Sequence, residues 1–236
     1  MASERVTRIL CAANPSGSVE AVEALFQETQ DSGVDALALV GNLGGSDGGE
    51  SLRSIFKALA RTQRHTYWVP GPNDAPIESY LREAANIEVV AQSLRGVHGG
   101  VAFSADGQLV FAGFGGEVSD ELDAPRDEID HLRYPRWEAE YRLKVLHELD
   151  EHQFVLLFWT PPAHKGLNRP GAEVLAELIA THRPRLAVSA GEQGKEMIGR
   201  TLIVSPGNLQ DGEYAIADVH SHDVQFERLA AGARTS

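Results

Sequence analysis

Three asparagines stand just beyond short apolar runs: Asn14 after residues 6–12, Asn42 after residues 35–40, and Asn73 after residues 66–69. An asparagine side chain presents one neutral amide oxygen and two N–H donors, which suits a polar ligand pocket. The same residue type also tolerates the unusual backbone angles of tight turns, so both readings stand. Asp74 follows Asn73 directly, and Glu192 follows Gly191 after a further apolar run. Two carboxylates could share one hard cation, or could cap a helix or face water. His164-Lys165 comes shortly after Pro161-Pro162 and could bind an anion or phosphate, or form a solvated surface pair. Trp159, at the end of another run, could fill a pocket with its large apolar ring or stack on a ligand ring.

Other motifs carry less. Residues 44–49 are glycine-rich, but no Gly-Lys-Ser/Thr follows, so they read as a mobile loop and not as a phosphate-binding loop. His220-Ser221-His222 has period-two spacing and could hold zinc only with partners that the sequence does not identify. Glu117, after Gly113-Phe114-Gly115-Gly116, sits where flexible backbone could approach a ligand, or at an ordinary hairpin exit.

These residues need elements to position them. Short apolar runs alternate with amphipathic segments, the pattern of βαβ units around a buried sheet. Strands are expected at residues 6–12, 35–40, 66–69, 154–158, 186–190, 201–204 and 214–219. Val19, Val22, Leu25 and Phe26 share one helical face, as do Leu52, Ile55, Phe56 and Leu59. Pro76 suits the first turn of a short helix carrying Ile77, Tyr80 and Leu81. Asp106-Gly107 predicts a hairpin between residues 101–103 and 109–112. Residues 117–130 read as an acidic exposed loop. Trp137, Tyr141, Val145 and Leu149 predict one stripe of a long helix, and residues 170–182 a further helix. Alternation first and hairpins later predict two packed sheets with helices outside, in one domain over residues 1–236. In such sheets ligands gather beyond the carboxyl ends of strands, here the loops at 14–18, 41–49, 71–74, 159–165 and 191–196.

In order, those loops read Asn14-Pro15-Ser16-Gly17, Gly41-Asn42, Gly71-Pro72-Asn73-Asp74, Trp159-Thr160-Pro161-Pro162 and Gly191-Glu192-Gln193-Gly194. This succession resembles the calcineurin-like metallophosphoesterases, whose strands end in D-x-H-G, G-D, G-N-H-D/E, H-x-P-P and G-H-x-H. Residues 35–41 resemble the strand leading into the second motif, and residues 205–209 resemble a later N-P-G-S segment. The combination of N-P-x-G, V-P-G-P-x-D-A-P and H-K-G-L-N is similar to a small bacterial branch of that superfamily. The resemblance spans residues 6–219. It implies a four-layer αββα sandwich of the metallo-dependent phosphatase type, two mixed sheets flanked by helices.

Departures from the family pattern fall on its chemistry. Members hold two divalent cations through aspartates, histidines and an asparagine. At the matching positions stand Asn14, Ser16, Asn42, Pro72, Trp159, Glu192 and Gly194, while Asn73 matches the catalytic histidine and Asp74 is retained. About four positive charges in close proximity need anionic ligands, and neutral amides supply none. Without clustered cations a bridging hydroxide loses the charge that lowers its pKa. The resemblance therefore implies the shape with the two-metal hydrolysis absent or weakened, and a ligand-binding or regulatory role. The ligand pocket expected is Asn14, Ser16, Asn42, Asn73, Asp74, Trp159, His164, Lys165 and Glu192. The alternative is a metal-dependent phosphoester hydrolase using one divalent cation (Mn, Mg or Ca), held by Asp74, Glu192, Asn14 and Asn42, with Asn73, Asp74 and His164 as catalytic candidates. A third reading is a homo-oligomeric structural protein with Trp137 and Tyr141 in its interface.

Composition bounds the partners. The 236 residues carry 34 acidic and 21 basic side chains, a formal net charge of −13. That balance opposes non-specific adherence to nucleic acid or anionic membrane; a small phosphorylated ligand is the partner that the family resemblance implies. A lone cysteine, Cys11, inside an apolar run reads as a buried small hydrophobe in a reducing compartment. The first residues lead straight into a strand with no signal-like apolar region, so a cytoplasmic protein is expected.

Overall fold

Runs such as residues 36–40 and 153–158 are short and apolar on both faces, the composition of strands covered from two sides. The computed structural model describes residues 6–45, 49–163 and 170–230. In chain order the first half contains β1 (Arg8–Ala13), α1 (Val19–Glu28), β2 (Ala36–Val40), α2 (Glu50–Arg61), β3 (His65–Val69), α3 (Ile77–Val90) and β4 (Leu94–Gly96). Next come β5 (Val101–Phe103), β6 (Leu109–Phe114), β7 (Glu117–Val118), β8 (Arg133–Tyr134), α4 (Arg136–Leu143) and β9 (Gln153–Phe158). The chain continues through α5 (Glu173–His182), β10 (Leu186–Ser189), β11 (Gly194–Ile198), β12 (Thr201–Ser205), β13 (Glu213–Asp218) and β14 (Val224–Arg228).

One six-stranded sheet has the order β14-β13-β1-β2-β3-β4, and the second has the order β11-β12-β10-β9-β6-β5. Both are mixed. β1 to β4 run parallel; at one side β13 pairs antiparallel with β1, and β14 pairs antiparallel with β13. β6, β9, β10 and β12 run parallel, with β5 and β11 antiparallel at the two edges. The sheets face each other across a core that includes Ile9, Cys11, Val40, Val69, Leu157 and Val204. Tyr67 and Phe111 stack across that core with ring centroids 3.7 Å apart. Helices α1 to α3 cover the outer face of the first sheet through residues that include Leu25, Ile55 and Tyr80. Helices α4 and α5 cover the second through Leu143, Val174 and Ile179. The layers are αββα, as expected, and Cys11 is buried in the middle.

Several details differ from expectation. The long helix through residues 137–149 is two turns of α-helix followed by a 3-10 stretch at Lys144–Leu149. Three of the four residues of its spacing-of-four stripe face solvent: Trp137, Tyr141 and Val145 are exposed, Leu149 is partly buried against the core, and Ala139, Leu143 and Leu146 pack inward. The helix after Pro76 has 14 residues, so it is not short. Residues 194–198 and 224–228 form edge strands where none was expected, because their alternation carries charged side chains on the open face. The Asp106-Gly107 turn is as expected, with Gly107 at φ 70°. No helix among the described residues is long and apolar enough to cross a membrane.

Candidate functional site

Parallel pairing sets Ala13 beside Val40 and Val40 beside Val69, so the carboxyl ends of β1, β2 and β3 finish side by side. Backbone bonds carry this alignment one step further, from Asn14 N–H to Val40 O at 2.9 Å and from Gly41 N–H to Val69 O at 2.9 Å. The loops then press together. A Cβ on Gly41 would lie 2.0 Å from the Gly71 nitrogen, and one on Gly71 would lie 2.3 Å from Asn42 Oδ1. No side chain fits at either position. The Gly41–Asn42 peptide is cis.

Asn14 is the hub. Its Oδ1 accepts the Asn42 backbone N–H at 2.7 Å and the Trp159 indole N–H at 3.1 Å. Its Nδ2 donates to Asn208 Oδ1 at 2.8 Å. Two partners that can only donate fix which end of the amide is oxygen, and together they occupy both of its lone pairs. The Trp159 bond ties the end of β9 in the second sheet to the end of β1 in the first. Asn14 also has φ 49°, so it is both a left-handed turn residue and a pocket residue. Asn42 Oδ1 in turn accepts the Asn73 backbone N–H at 2.9 Å. Neither the Asn42 Nδ2 group nor the Asn73 side chain has a partner among the described residues, and Asn73 is exposed.

Asp74 is 4% exposed. Its carboxylate accepts the N–H groups of Leu43 at 2.9 Å, Gly44 at 2.7 Å and Gly71 at 2.7 Å. Burial raises its pKa from 3.8 to about 6, with those three N–H groups opposing the rise. The carboxylate thus clamps the β2 loop to the β3 loop. Its partner N–H groups come mainly from the neighbouring loop, since only Gly71 belongs to its own 3-10 turn.

The other expected site residues divide. Ser16 joins the cluster through its backbone N–H to Asn42 O at 3.0 Å, with φ 49°. Trp159 is half-buried and packs against the inter-sheet core, so it fills space and also points its N–H at Asn14. Glu192 is exposed, and no hydrogen bond among the described residues joins it to Asp74. Its neighbour Gln193 instead bridges to the Tyr214 and Glu227 carbonyls at 3.2 and 3.1 Å. His164 and Lys165 lie outside the described residues, as do residues 46–48 of the glycine loop. The rest of that loop is held at Gly44 and Gly45, the latter donating to Ser51 Oγ at 2.6 Å. Glu117 pairs with His131 and Arg133 at 3.2 Å each, a partly exposed ion cluster. No group of three His, Cys, Asp or Glu side chains among the described residues is arranged to hold a metal ion, and the His220–His222 pair finds no such partner. Sequence reasoning missed Asn208 as a member of the network. Its only signal is the turn-like Pro206-Gly207-Asn208 segment, which places the loop but says nothing of where the amide goes.

The donor set tests poorly against two divalent cations. Asn14 Oδ1 has no free lone pair, Pro72 has no side-chain donor atom, and Trp159 offers only an N–H. Asp74 supplies the one buried carboxylate among the described residues of these loops, and it is already bound by backbone. Among the described residues, what remains open toward a ligand is amide: Asn42 Nδ2 and the Asn73 side chain, donors suited to oxygen acceptors.

A family model described as metallophosphoesterase, calcineurin superfamily, matches residues 46–229. Among solved structures, the protein TT1561 of Thermus thermophilus is 42% identical, with a TM-score of 0.91 over 95% of this chain and 100% of that one. A 5′-nucleotidase from Candida albicans superimposes with a TM-score of 0.64 at 9% identity, over 98% of this chain and 52% of that one. An archaeal phosphodiesterase superimposes with a TM-score of 0.54 at 10% identity, over 94% of this chain and 99% of that one. The last two likenesses are of fold alone. No curated protein matches the chain.

Proposed function

The chain belongs to the calcineurin superfamily of metallophosphoesterases, and from that premise we propose that it is a ligand-binding or regulatory member in which an amide network stands where relatives hold two metals. The observation that carries this is the Asn14 hub. Its oxygen accepts two N–H groups and its nitrogen faces Asn208 Oδ1, an arrangement complementary to an amide and not to a carboxylate. An aspartate at position 14 would lose the N–H that Asn14 donates to Asn208 Oδ1, and the Asn208 amide would have to turn to meet it with its own N–H. The proposed occupant is a small phosphorylated ligand, held by amide donors at Asn42 and Asn73. The reading with one divalent cation is less well supported, because the Asp74 oxygens already serve three N–H groups and Glu192 faces solvent.

Metal content and turnover of a model phosphodiester, measured on purified chain dialysed against manganese, test the proposal. It predicts less than one bound ion per chain and no turnover above background. It further predicts that Asn14→Asp with Asn42→Asp lowers the melting temperature in chelator and regains it in manganese. Two ions per chain with turnover in the unaltered protein would overturn it.

A further inference from the structure

At the opposite end of the second sheet from the asparagine network, the amino-terminal ends of β9, β10 and β12 open into a cleft of ≈ 450 Å³. Arg183, Arg185 and Arg200 line it together with His147, His152 and His182. They arrive from four separate segments: the 3-10 stretch after α4, the start of β9, the exit of α5, and the β11–β12 turn. Asp150 is the one acidic side chain among the described residues of the lining.

Three features distinguish this cluster from ordinary surface charge. Among the described residues, every other arginine has a side-chain hydrogen bond or ion pair, whereas Arg183, Arg185 and Arg200 have none. In a chain with 34 acidic against 21 basic residues, three unpaired guanidinium groups around one cleft oppose the general charge. His152 Nδ1 is buried without a hydrogen-bond partner, a polar atom left unsatisfied in the wall of the cleft. His147 and His182 lie with ring centroids 4.8 Å apart, and burial, then the neighbouring His147, holds the His182 pKa below its ordinary value. An anion between these groups would relieve their mutual repulsion. The carbonyl end of α5 accounts for basic residues at positions 182 and 183. It does not account for Arg185 and Arg200, which stand on a strand entrance and a hairpin turn.

We propose that this cleft binds a small polyanion bearing two or more phosphate groups, with Arg183, Arg185 and Arg200 as its phosphate anchors. Guanidinium groups present paired N–H donors that match phosphate oxygens, and three of them exceed what a single phosphate needs. The volume falls within the range that encloses a small molecule. The site lies away from the strand carboxyl ends, so it is separate from the amide network and stands or falls independently of it.

Calorimetric titration of inorganic tripolyphosphate into the full chain tests the proposal. One ion should bind in this cleft, beside any held at the amide network, and more weakly as salt is raised. Arg185→Gln with Arg200→Gln should weaken binding roughly 100-fold, the loss of two charge-assisted hydrogen bonds at the low end of their range. Both side chains are exposed, so the variant should melt with the unaltered protein. Arg61→Gln, on another face, and Asn14→Ala, in the amide network, should leave binding intact. Absence of binding at millimolar tripolyphosphate would overturn the proposal. So would equal weakening by Arg61→Gln, or loss of binding in Asn14→Ala with retention in the arginine variant.

Discussion

Replacing Asp74 by alanine separates a structural carboxylate from a metal ligand. The substitution leaves the N–H groups of Leu43, Gly44 and Gly71 without their acceptor in a buried setting. Each orphaned donor costs about 1–3 kcal/mol. Water entering the vacated space and release of the buried charge offset part of this, leaving a net loss of about 3 kcal/mol. Against a total stability of roughly 5–15 kcal/mol for a domain, that is a large fraction. The size of the loss depends on pH in a defined direction. Burial raises the Asp74 pKa in the folded protein from 3.8 to about 6. A raised pKa means that the folded state binds the proton more tightly, so its contribution is fully present below the unfolded value and is lost as pH rises through about 6. Asp74→Ala removes this contribution, so the stability gap between the two proteins should widen by about 1 kcal/mol from about pH 7.5 down to about pH 5. Urea unfolding followed by tryptophan fluorescence at both pH values measures the gap. A loss below about 1 kcal/mol, or a gap that narrows with falling pH, would refute the clamp. A metal ligand held against its own repulsion would instead give a variant of equal or greater stability.

The other residues of the network make smaller claims. Asn14→Ala removes the acceptor for Asn42 N–H and Trp159 N–H, and should cost about 1–3 kcal/mol in the same unfolding assay. Trp159→Phe keeps most of the apolar filling and loses only the indole donor, so it should cost about 1 kcal/mol and no more than Asn14→Ala. Cys11 is buried and its thiol pKa is pushed up by burial, so it should resist a disulfide reagent in native buffer and react once urea unfolds the chain.

The frame of the site was legible because strand ends leave strong local marks. Asn14-Pro15, Gly41-Asn42 and Gly71-Pro72 each follow an apolar run, and the parallel register then brings them side by side. The role of Asp74 was half legible. A carboxylate in a loop could be read as a cap, but its partners Leu43 and Gly44 lie about thirty residues earlier in the chain. The link from Asn14 to Asn208 spans 194 residues, and no local pattern announces it. The exposed stripe of α4 misled for a geometric reason. Steps of four drift around a helix, and the inward-facing residues Ala139, Leu143 and Leu146 alternate steps of four and three. Edge strands β11 and β14 escaped notice because Lys195, Glu196, Gln225 and Glu227 dilute their apolar alternation.

Manganese and phosphate soaked together into crystals of the unaltered protein test the central claim most directly. The account predicts no anomalous manganese peak beside Asn14 or Asn42, with the Asn14 bonds to Asn42, Trp159 and Asn208 intact. Two manganese peaks roughly 3.5–4 Å apart between the sheets, with Asn14 turned away from Trp159, would contradict it.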